Sequence, residues 1–302
     1  MLIPANLEIL PPADDYIFKA MLTHPNAEPA LKDLISAAIN HNVISVNIRN
    51  NELNVTDTEE KNERFDVNCV IDTGDQVEVE MQGSRLEEAM GGRLNFINKY
   101  IYYLTDLHSS QKSKGVNYYE LVRTYQITFS AYTVFPEYDD YLSLINLRRS
   151  DGGLISDQVN MLIIELSKLG NLLKKPVEEM TSLEMWSAFI KYIPDPKHRE
   201  LINKLIDKRE AMAVAAEVLT TISKDEHERA KLRSQKKFEM DMYSNIHTAE
   251  YRGKLAGRAE GRAEALAAAI PFLKKKGMSA EDIAEFMSLT VNEALEHYKT
   301  EP

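Results

Sequence analysis

Apolar and polar side chains alternate along residues 76–82, with the period of two that a β-strand requires. One face of this strand holds Val77, Val79 and Met81, and the other holds Glu78, Glu80 and Gln82. Residues 64–69 alternate in the same way, with Arg64, Asp66 and Asn68 on the polar face. The two segments predict a β-hairpin of half-buried strands, with acidic side chains where such strands usually have none.

The length of the hairpin turn decides whether Asp66 and Glu80 meet, because a shift of one residue moves every side chain to the other face. A two-residue turn at 73–74 points Asp66 away from Glu80. A three-residue turn at 72–74, with Gly74 in the left-handed conformation, places the two acids opposite each other. We predict the three-residue turn. Since neighbouring carboxylates repel each other, we expect a hard divalent cation between them.

Helical spacing of apolar residues predicts two helices before the hairpin and one after it, at 13–22, 28–40 and 84–107. Strands are predicted at 43–49, 121–134, 141–147 and 159–166. Beyond residue 177 only helices are predicted, at 182–192, 197–222, 225–269, 280–286 and 291–298. This order predicts an α/β domain over residues 1–175, with a mixed central sheet flanked by helices. An all-helical region follows over residues 176–302, with a long basic helix and a terminal helix pair.

The chain has 302 residues, of which 44% are hydrophobic, enough to form a sizeable core. Its single cysteine, Cys69, lies on the apolar face of the hairpin, which excludes a disulfide framework and fits a reducing compartment. The amino terminus lacks the basic start and apolar run of a signal peptide, and no apolar run approaches the ~18 residues of a membrane span. We therefore expect a cytoplasmic protein without a membrane segment.

The formal net charge of −11 argues against a generally basic nucleic-acid-binding surface, but the charge is unevenly distributed. Residues 1–130 hold 11 basic and 19 acidic side chains, whereas residues 196–276 hold 18 basic and 12 acidic ones. The basic helical region could supply phosphate contacts that the acidic half lacks. A solvated helix surface rich in Lys and Arg explains the same counts equally well.

Glycine recurs every four residues in the long helix, at Gly253, Gly257 and Gly261, so the three lie in one row. The Lys and Arg residues between them indicate a soluble helix that is either exposed or self-associating, and we expect a homo-oligomer. Ser279 and Thr290 each precede an acid by three residues, which is the spacing of a capping box at the start of a helix.

The Glu80-x-Gln82 pair, following Asp66, resembles the nuclease core written PD-(D/E)XK, with glutamine in place of the usual lysine. Other segments agree in order and spacing: DYIFK at 15–19, KNERFDV at 61–67, VEMQ at 79–82, Arg93 with Tyr100, GVNYYELVRTYQI at 115–127 and the GRAEGRAEA tail. Together they resemble the PD-(D/E)XK nuclease family transposases, the Rpn-type recombination-promoting nucleases, over nearly the whole chain.

The resemblance implies a restriction-endonuclease-like core that binds Mg²⁺ or Mn²⁺. Its metal ligands would be Asp66, Glu80 and the backbone carbonyl of Met81, and Gln82 would stand at the lysine position. Such ions prefer oxygen ligands and keep bound waters, one of which can attack a phosphodiester. Since Gln82 bears no positive charge, more of the electrostatic stabilisation must come from the metal or from a basic side chain such as Lys61, Arg64 or Arg93.

The resemblance also implies roles for residues outside the second strand. Asp15 would be an outer catalytic carboxylate, although as a helix cap it would need no catalytic role. The substrate phosphates would be bound by Lys19, Lys61, Arg64, Arg93 and Tyr100. Arg93 and Tyr100 could instead pack the helix on the sheet.

The sequence therefore predicts a Mg²⁺-dependent DNA endonuclease, linked by the resemblance to recombination, transposition or defence against mobile DNA. Two other classes stay open: a nucleic-acid-binding module that has the fold without catalysis, and a helical protein that self-assembles through residues 197–269. The terminal helix pair resembles a helix-turn-helix, but Ser288 stands where the turn glycine is usual. This tail is also acidic, which argues against a role in reading a major groove.

Overall fold

A mixed six-stranded β-sheet forms the centre of the fold, as predicted. The computed structural model describes residues 2–49, 67–83, 92–111 and 117–298. The strands are β1 (Val46–Ile48), β2 (Val67–Ile71), β3 (Gln76–Gln82), β4 (Thr124–Ser130), β5 (Leu142–Arg148) and β6 (Leu154–Glu165). They lie in the order β1-β2-β3-β4-β6-β5. The neighbours β3, β4 and β6 run parallel, whereas the pairs β1–β2, β2–β3 and β5–β6 are antiparallel.

Nine α-helices occur in the described residues: α1 (Asp15–Thr23), α2 (Glu28–Ile39), α3 (Gly92–Ser109), α4 (Ser182–Tyr192), α5 (Arg199–Lys208), α6 (Glu210–Lys224), α7 (Glu226–Lys275), α8 (Ala280–Met287) and α9 (Val291–Tyr298). Short 3₁₀ helices lie at Tyr118–Glu120, Leu166–Lys174, Val177–Glu179 and Pro196–His198. None of the described helices combines the length and the apolar composition that a membrane crossing requires.

Helices cover both faces of the sheet. On one face, Cys69, Val77 and Val79 of the hairpin share a core with apolar residues of α1, α2 and α4–α6. On the other face, α3 packs Phe96 and Tyr100 against β4 and β6. The apolar residues of α4–α6 are buried against the same sheet, which explains why these three helices after residue 177 join its core.

The turn between β2 and β3 has the predicted three residues, 72–74. Gly74 adopts a φ of +86°, and its N–H donates to the carbonyl of Ile71 at 2.9 Å. This conformation strains any residue with a Cβ, so glycine is required here. Val67 lies opposite Val79, which confirms the predicted register within the described strands.

Strand β3 is buried on both faces rather than on one, so the prediction of a half-buried strand was wrong. On its polar face Glu78 is completely buried, and Glu80 and Gln82 are only 6% and 7% exposed. The reason is that β3 lies in the interior of the sheet, where side chains of α3 reach the polar face. Alternation alone does not distinguish a solvated polar face from one that is covered by a helix.

The single helix predicted over residues 197–222 is two helices in the structure, because Arg209 interrupts it. This residue has an extended backbone, with φ −138° and ψ 109°. Its guanidinium donates to both carboxylate oxygens of Asp33 on α2, at 2.6 and 2.8 Å. This ion pair lies between residues far apart in sequence and leaves no trace in local periodicity.

The chain forms two compact units, Met1–Arg233 and Ser234–Pro302. The sequence boundary at residue 175 lies inside the first unit, because α4–α6 share the core of the sheet. In the second unit, Leu266 and Ile270 of α7 pack on Ile283 and Ala294 of the terminal helices.

Both predicted capping boxes of the terminal helices are present. Ser279 exchanges hydrogen bonds with Asp282 at the start of α8, and Thr290 does the same with Glu293 at the start of α9. Ser288 ends α8 with a φ of +55°, the left-handed conformation for which glycine is usual.

Candidate active site

Glu80 forms the centre of a buried polar site on β3. Its Oε1 accepts a hydrogen bond from the ammonium of Lys99 on α3 at 2.6 Å. Its Oε2 is buried and accepts no hydrogen bond from any described residue. A carboxylate shielded from water is costly unless it is paired, so Lys99 stabilises its charge while the second oxygen stays open to another cation.

Lys99 is a residue of this site that the sequence reasoning missed. Its ammonium lies 4.8 Å from the centre of the Tyr100 ring and 5.4 Å from that of the Tyr103 ring, within cation–π range. The side chain is 30% exposed, so the positive charge stays within reach of a ligand. The available signal was its spacing, three residues after Phe96 and four before Tyr103, which places a lysine on the inner face of an amphipathic helix.

Gln82 lies beside this ion pair. Its Oε1 accepts hydrogen bonds from the Tyr100 hydroxyl at 3.1 Å and from Lys99 at 3.4 Å. Burial raises the pKa of Tyr100 well above its ordinary value, and the negative charge of Glu80 raises it further. Tyr100 therefore stays a neutral donor that fixes the orientation of the Gln82 amide.

Asp15 approaches the site from the start of α1. The helix cap is Asp14, whose carboxylate accepts from the N–H of Tyr16, so Asp15 is not needed as a cap. Instead Asp15 accepts from the N–H of Gly83 at 2.6 Å. Burial raises the pKa of Asp15 to about 7, against the lowering effect of that hydrogen bond, and the charge of Glu80 contributes to the rise.

Gly83 permits this close approach of α1 to the end of β3. A Cβ at this position would lie 2.6 Å from the backbone oxygen of Ala13 and 2.8 Å from the carboxylate of Asp15. Both distances are far below van der Waals contact. The absence of a side chain at Gly83 therefore allows Asp15 to lie near Glu80. Nothing in the local sequence indicated this close approach.

The other predicted site residues lie apart from Glu80 or outside the described residues. Arg93 forms a bidentate ion pair with Glu137, at 2.7 and 2.9 Å, and stacks on the ring of Phe135 at 4.7 Å. Lys19 lines a separate groove of about 450 Å³ with Tyr16, Thr23 and Glu228. The predicted ligand Asp66 and the predicted phosphate contacts Lys61 and Arg64 lie outside the described residues.

The oxygen atoms of this site are suitable ligands for a hard divalent cation. The described residues alone contain no ready group of three His, Cys, Asp or Glu side chains, but Glu80 offers a buried oxygen without a donor. The backbone carbonyl of Gln82 accepts from the N–H of Ala131, the residue after β4. Because carbonyls alternate in direction along a strand, the carbonyl of Met81 points to the other side, towards β2. There the described part of β2 begins at Val67, opposite Val79. An ion at this edge would meet oxygen ligands, as Mg²⁺ and Mn²⁺ prefer.

A comparison with protein families identifies a match over most of the chain. The family model described as PD-(D/E)XK nuclease family transposase matches residues 12–249, which include Asp15, Glu80, Gln82 and Lys99. No curated protein and no solved structure matches the chain. The mixed sheet flanked by helices agrees with the restriction-endonuclease-like fold of such nucleases.

Proposed function

Because the chain belongs to the PD-(D/E)XK nuclease family transposases, we propose that it is a metal-dependent endonuclease that cleaves DNA during recombination, transposition or defence against mobile DNA. The observation that supports this most is the pairing of buried Glu80 with Lys99, beside Gln82. The strand holds glutamine where the usual core has lysine, and α3 brings an ammonium group to the same place. We assign catalysis to residues 1–175.

We propose Asp66, Glu80 and the Met81 carbonyl as ligands of Mg²⁺ or Mn²⁺. The register of β2 and β3, continued by one residue beyond Val67 and Val79, would set Asp66 opposite Glu80. The bound ion would lower the pKa of a coordinated water and offset negative charge on the phosphate.

The side chains of the chain itself would then divide the remaining tasks. Lys99, released from neutralising Glu80 alone, would donate to a phosphate oxygen, where a fixed positive charge stabilises the transition state. Gln82, held by Tyr100, would orient the attacking water through its amide. Asp15 would act as an outer carboxylate, since burial already raises its pKa to about 7.

We further propose that Lys19, Lys61, Arg64 and Arg93 contact the DNA backbone away from the cleaved bond. Arg93 is half exposed, so a phosphate could replace Glu137 as its partner. Contacts of this kind bind sequence-independently and weaken as salt concentration rises.

Nicking of supercoiled plasmid DNA by the purified full chain tests this function. We expect nicking with Mg²⁺ or Mn²⁺ and none in a chelator. Asp66→Ala and Glu80→Ala should abolish it, and Lys99→Ala should lower it about 100-fold, the usual loss for one electrostatic donor. The matched control is Lys204→Ala, which removes an exposed lysine paired with Glu200. Equal nicking by all these proteins would contradict the assignment.

One observation favours a second candidate, a DNA-binding protein that has the fold without catalysis. The Glu80–Lys99 ion pair neutralises the acid without any metal. A protein of this kind would shift DNA in a gel equally well with chelator and with Mg²⁺, and Glu80→Ala would leave the shift unchanged. Metal-dependent nicking excludes it.

A further inference from the structure

The outer strand β5 leaves an apolar sheet edge open. Among the described residues β5 pairs only with β6, and its exposed aliphatic side chains are Leu144, Ile145 and Leu147. Two more, Leu154 and Ile155, are exposed on the adjoining end of β6. Edge strands of monomers are usually protected by lysine or proline. Residues 142–147 contain neither.

The backbone of this edge is arranged to form hydrogen bonds with another strand. The N–H of Glu165 donates to the carbonyl of Tyr141 at 2.7 Å, so Tyr141 belongs to a hydrogen-bonded pair with β6. In an antiparallel ladder the bonding direction alternates along each strand. The N–H and C=O groups of Leu142, Leu144 and Asn146 therefore point away from β6, towards the open side.

We propose that β5 is an interface between two copies of this chain, which pair antiparallel with Leu144 opposite the partner's Leu144. A dimer of identical edge strands has a two-fold axis perpendicular to the sheet, and this axis requires one residue to face its own symmetry mate. The two sheets then continue into one another, and the open backbone groups of both copies are paired.

Charge complementarity selects Leu144 as the central residue. Two acids, Asp139 and Asp140, precede β5, Arg148 is its last residue, and a second base, Arg149, follows. With Leu144 at the centre, the acidic pair before each strand lies beside the basic pair at the end of the partner's strand. Both ends of the interface thus join opposite charges, since symmetry repeats each pair.

The register with Ile145 at the centre loses this match. Arg148 would then face the partner's Leu142, two residues away from the partner's Asp140. Leu144 is also the more exposed of the two side chains, at 55% against 41% for Ile145, so pairing Leu144 with its own mate covers the more exposed side chain at the axis.

Disulfide cross-linking of the full chain tests both the interface and its register. In Leu144→Cys the two new thiols would lie across one strand spacing, with Cα atoms about 5.5 Å apart, which permits a disulfide. In the control Asn146→Cys, on the same edge, the two thiols would be more than about 13 Å apart along the strands. The native Cys69 is buried, and its pKa is raised to about 12, so it does not compete.

We expect mild oxidation to convert Leu144→Cys into a covalent dimer and to leave Asn146→Cys monomeric on a non-reducing gel. Equal cross-linking of the two variants, or of neither, would overturn the proposed register. A wild type that sediments only as a monomer at tens of micromolar protein would overturn the interface itself.

Sedimentation equilibrium of charge variants gives an independent measurement. Leu144→Lys should raise the dimer dissociation constant about 100-fold, because it removes apolar contact and places like charges at the axis. The control Ile44→Lys changes an exposed aliphatic residue before β1, at the other side of the sheet, and should change nothing.

Asp139→Arg or Arg149→Asp should each weaken the dimer, and the double variant should restore it because the charges are exchanged. A double variant as weak as its parents would contradict the pairing of these two residues. If Ile44→Lys weakened the dimer and Leu144→Lys did not, the interface would lie elsewhere.

Discussion

At the scale of single residues, the site depends on groups that satisfy one another in a desolvated place. Glu80 is held by Lys99, and Gln82 by Tyr100 and Lys99. Asp15 has a hydrogen bond to Gly83 but no counter-ion at contact distance among the described residues. It is therefore the acid of the site whose charge costs most.

Stability should reflect this cost through pH. Folding raises the pKa of Asp15 from 3.8 to about 7, so the folded protein holds this proton more tightly than the unfolded chain. The unfolding free energy should fall as pH rises from about 4 to 7, because ionisation then opposes folding. Asp15→Asn removes the effect and should be more stable than the wild type at pH 8 by on the order of 2 kcal/mol.

Urea unfolding in chelator at several pH values measures this difference. The gap between variant and wild type should grow between pH 4 and 7 and stay constant above. The exposed Asp207→Asn on α5 serves as control and should show no such growth. A gap independent of pH would show that burial does not raise this pKa.

Gly83→Ala should disconnect α1 from the site. The new Cβ would lie 2.6 Å from the oxygen of Ala13, a backbone atom that cannot move alone. We expect a loss of about 2 kcal/mol in unfolding free energy, together with reduced nicking, as Asp15 moves away from Glu80. Gly170→Ala is the matched control, since a Cβ there meets nothing within 4 Å. Equal stability of the two variants would mean that α1 adjusts without cost.

At the scale of helices and strands, the features predicted correctly from the sequence are those that neighbouring residues determine. A left-handed Gly74 sets a three-residue turn, and this turn sets the register of β2 and β3. Long-range packing decided the rest. The break at Arg209 depends on Asp33, and the position of Lys99 depends on how α3 crosses the sheet. Periodicity records which face of an element is buried but not which partner covers it.

The C-terminal end of α8 provides a test of local chemistry alone. Ser288 has a φ of +55°, which costs a residue with a Cβ roughly 1 kcal/mol and glycine almost nothing. Ser288→Gly should therefore stabilise the second unit by about 0.5–1 kcal/mol. Thermal unfolding followed by circular dichroism measures the shift, and Ser279→Gly, which removes the cap of the same helix, should shift it the opposite way. A destabilised Ser288→Gly would rule out the left-handed conformation.

At the scale of the whole molecule, the two units have separate cores. The sheet and α1–α6 enclose the two apolar clusters of the first unit, one on each face of the sheet, and the end of α7 with α8 and α9 encloses the core of the second unit. Every described residue assigned to catalysis belongs to the first unit. The family match ends at residue 249, before the second core begins at Leu266.

Because the cores of the two units are separate, we expect each unit to unfold independently of the other. Ile283 is completely buried in the second core, and Ile283→Ala should cost that unit about 2–4 kcal/mol through the cavity that it leaves. Phe18→Ala makes the corresponding change in the first core. Calorimetry should show each variant lowering a different transition. Plasmid nicking is then measured at a temperature where the destabilised unit of each variant is unfolded. It should survive in Ile283→Ala and be lost in Phe18→Ala. Loss of nicking in both would mean that catalysis requires the terminal helices.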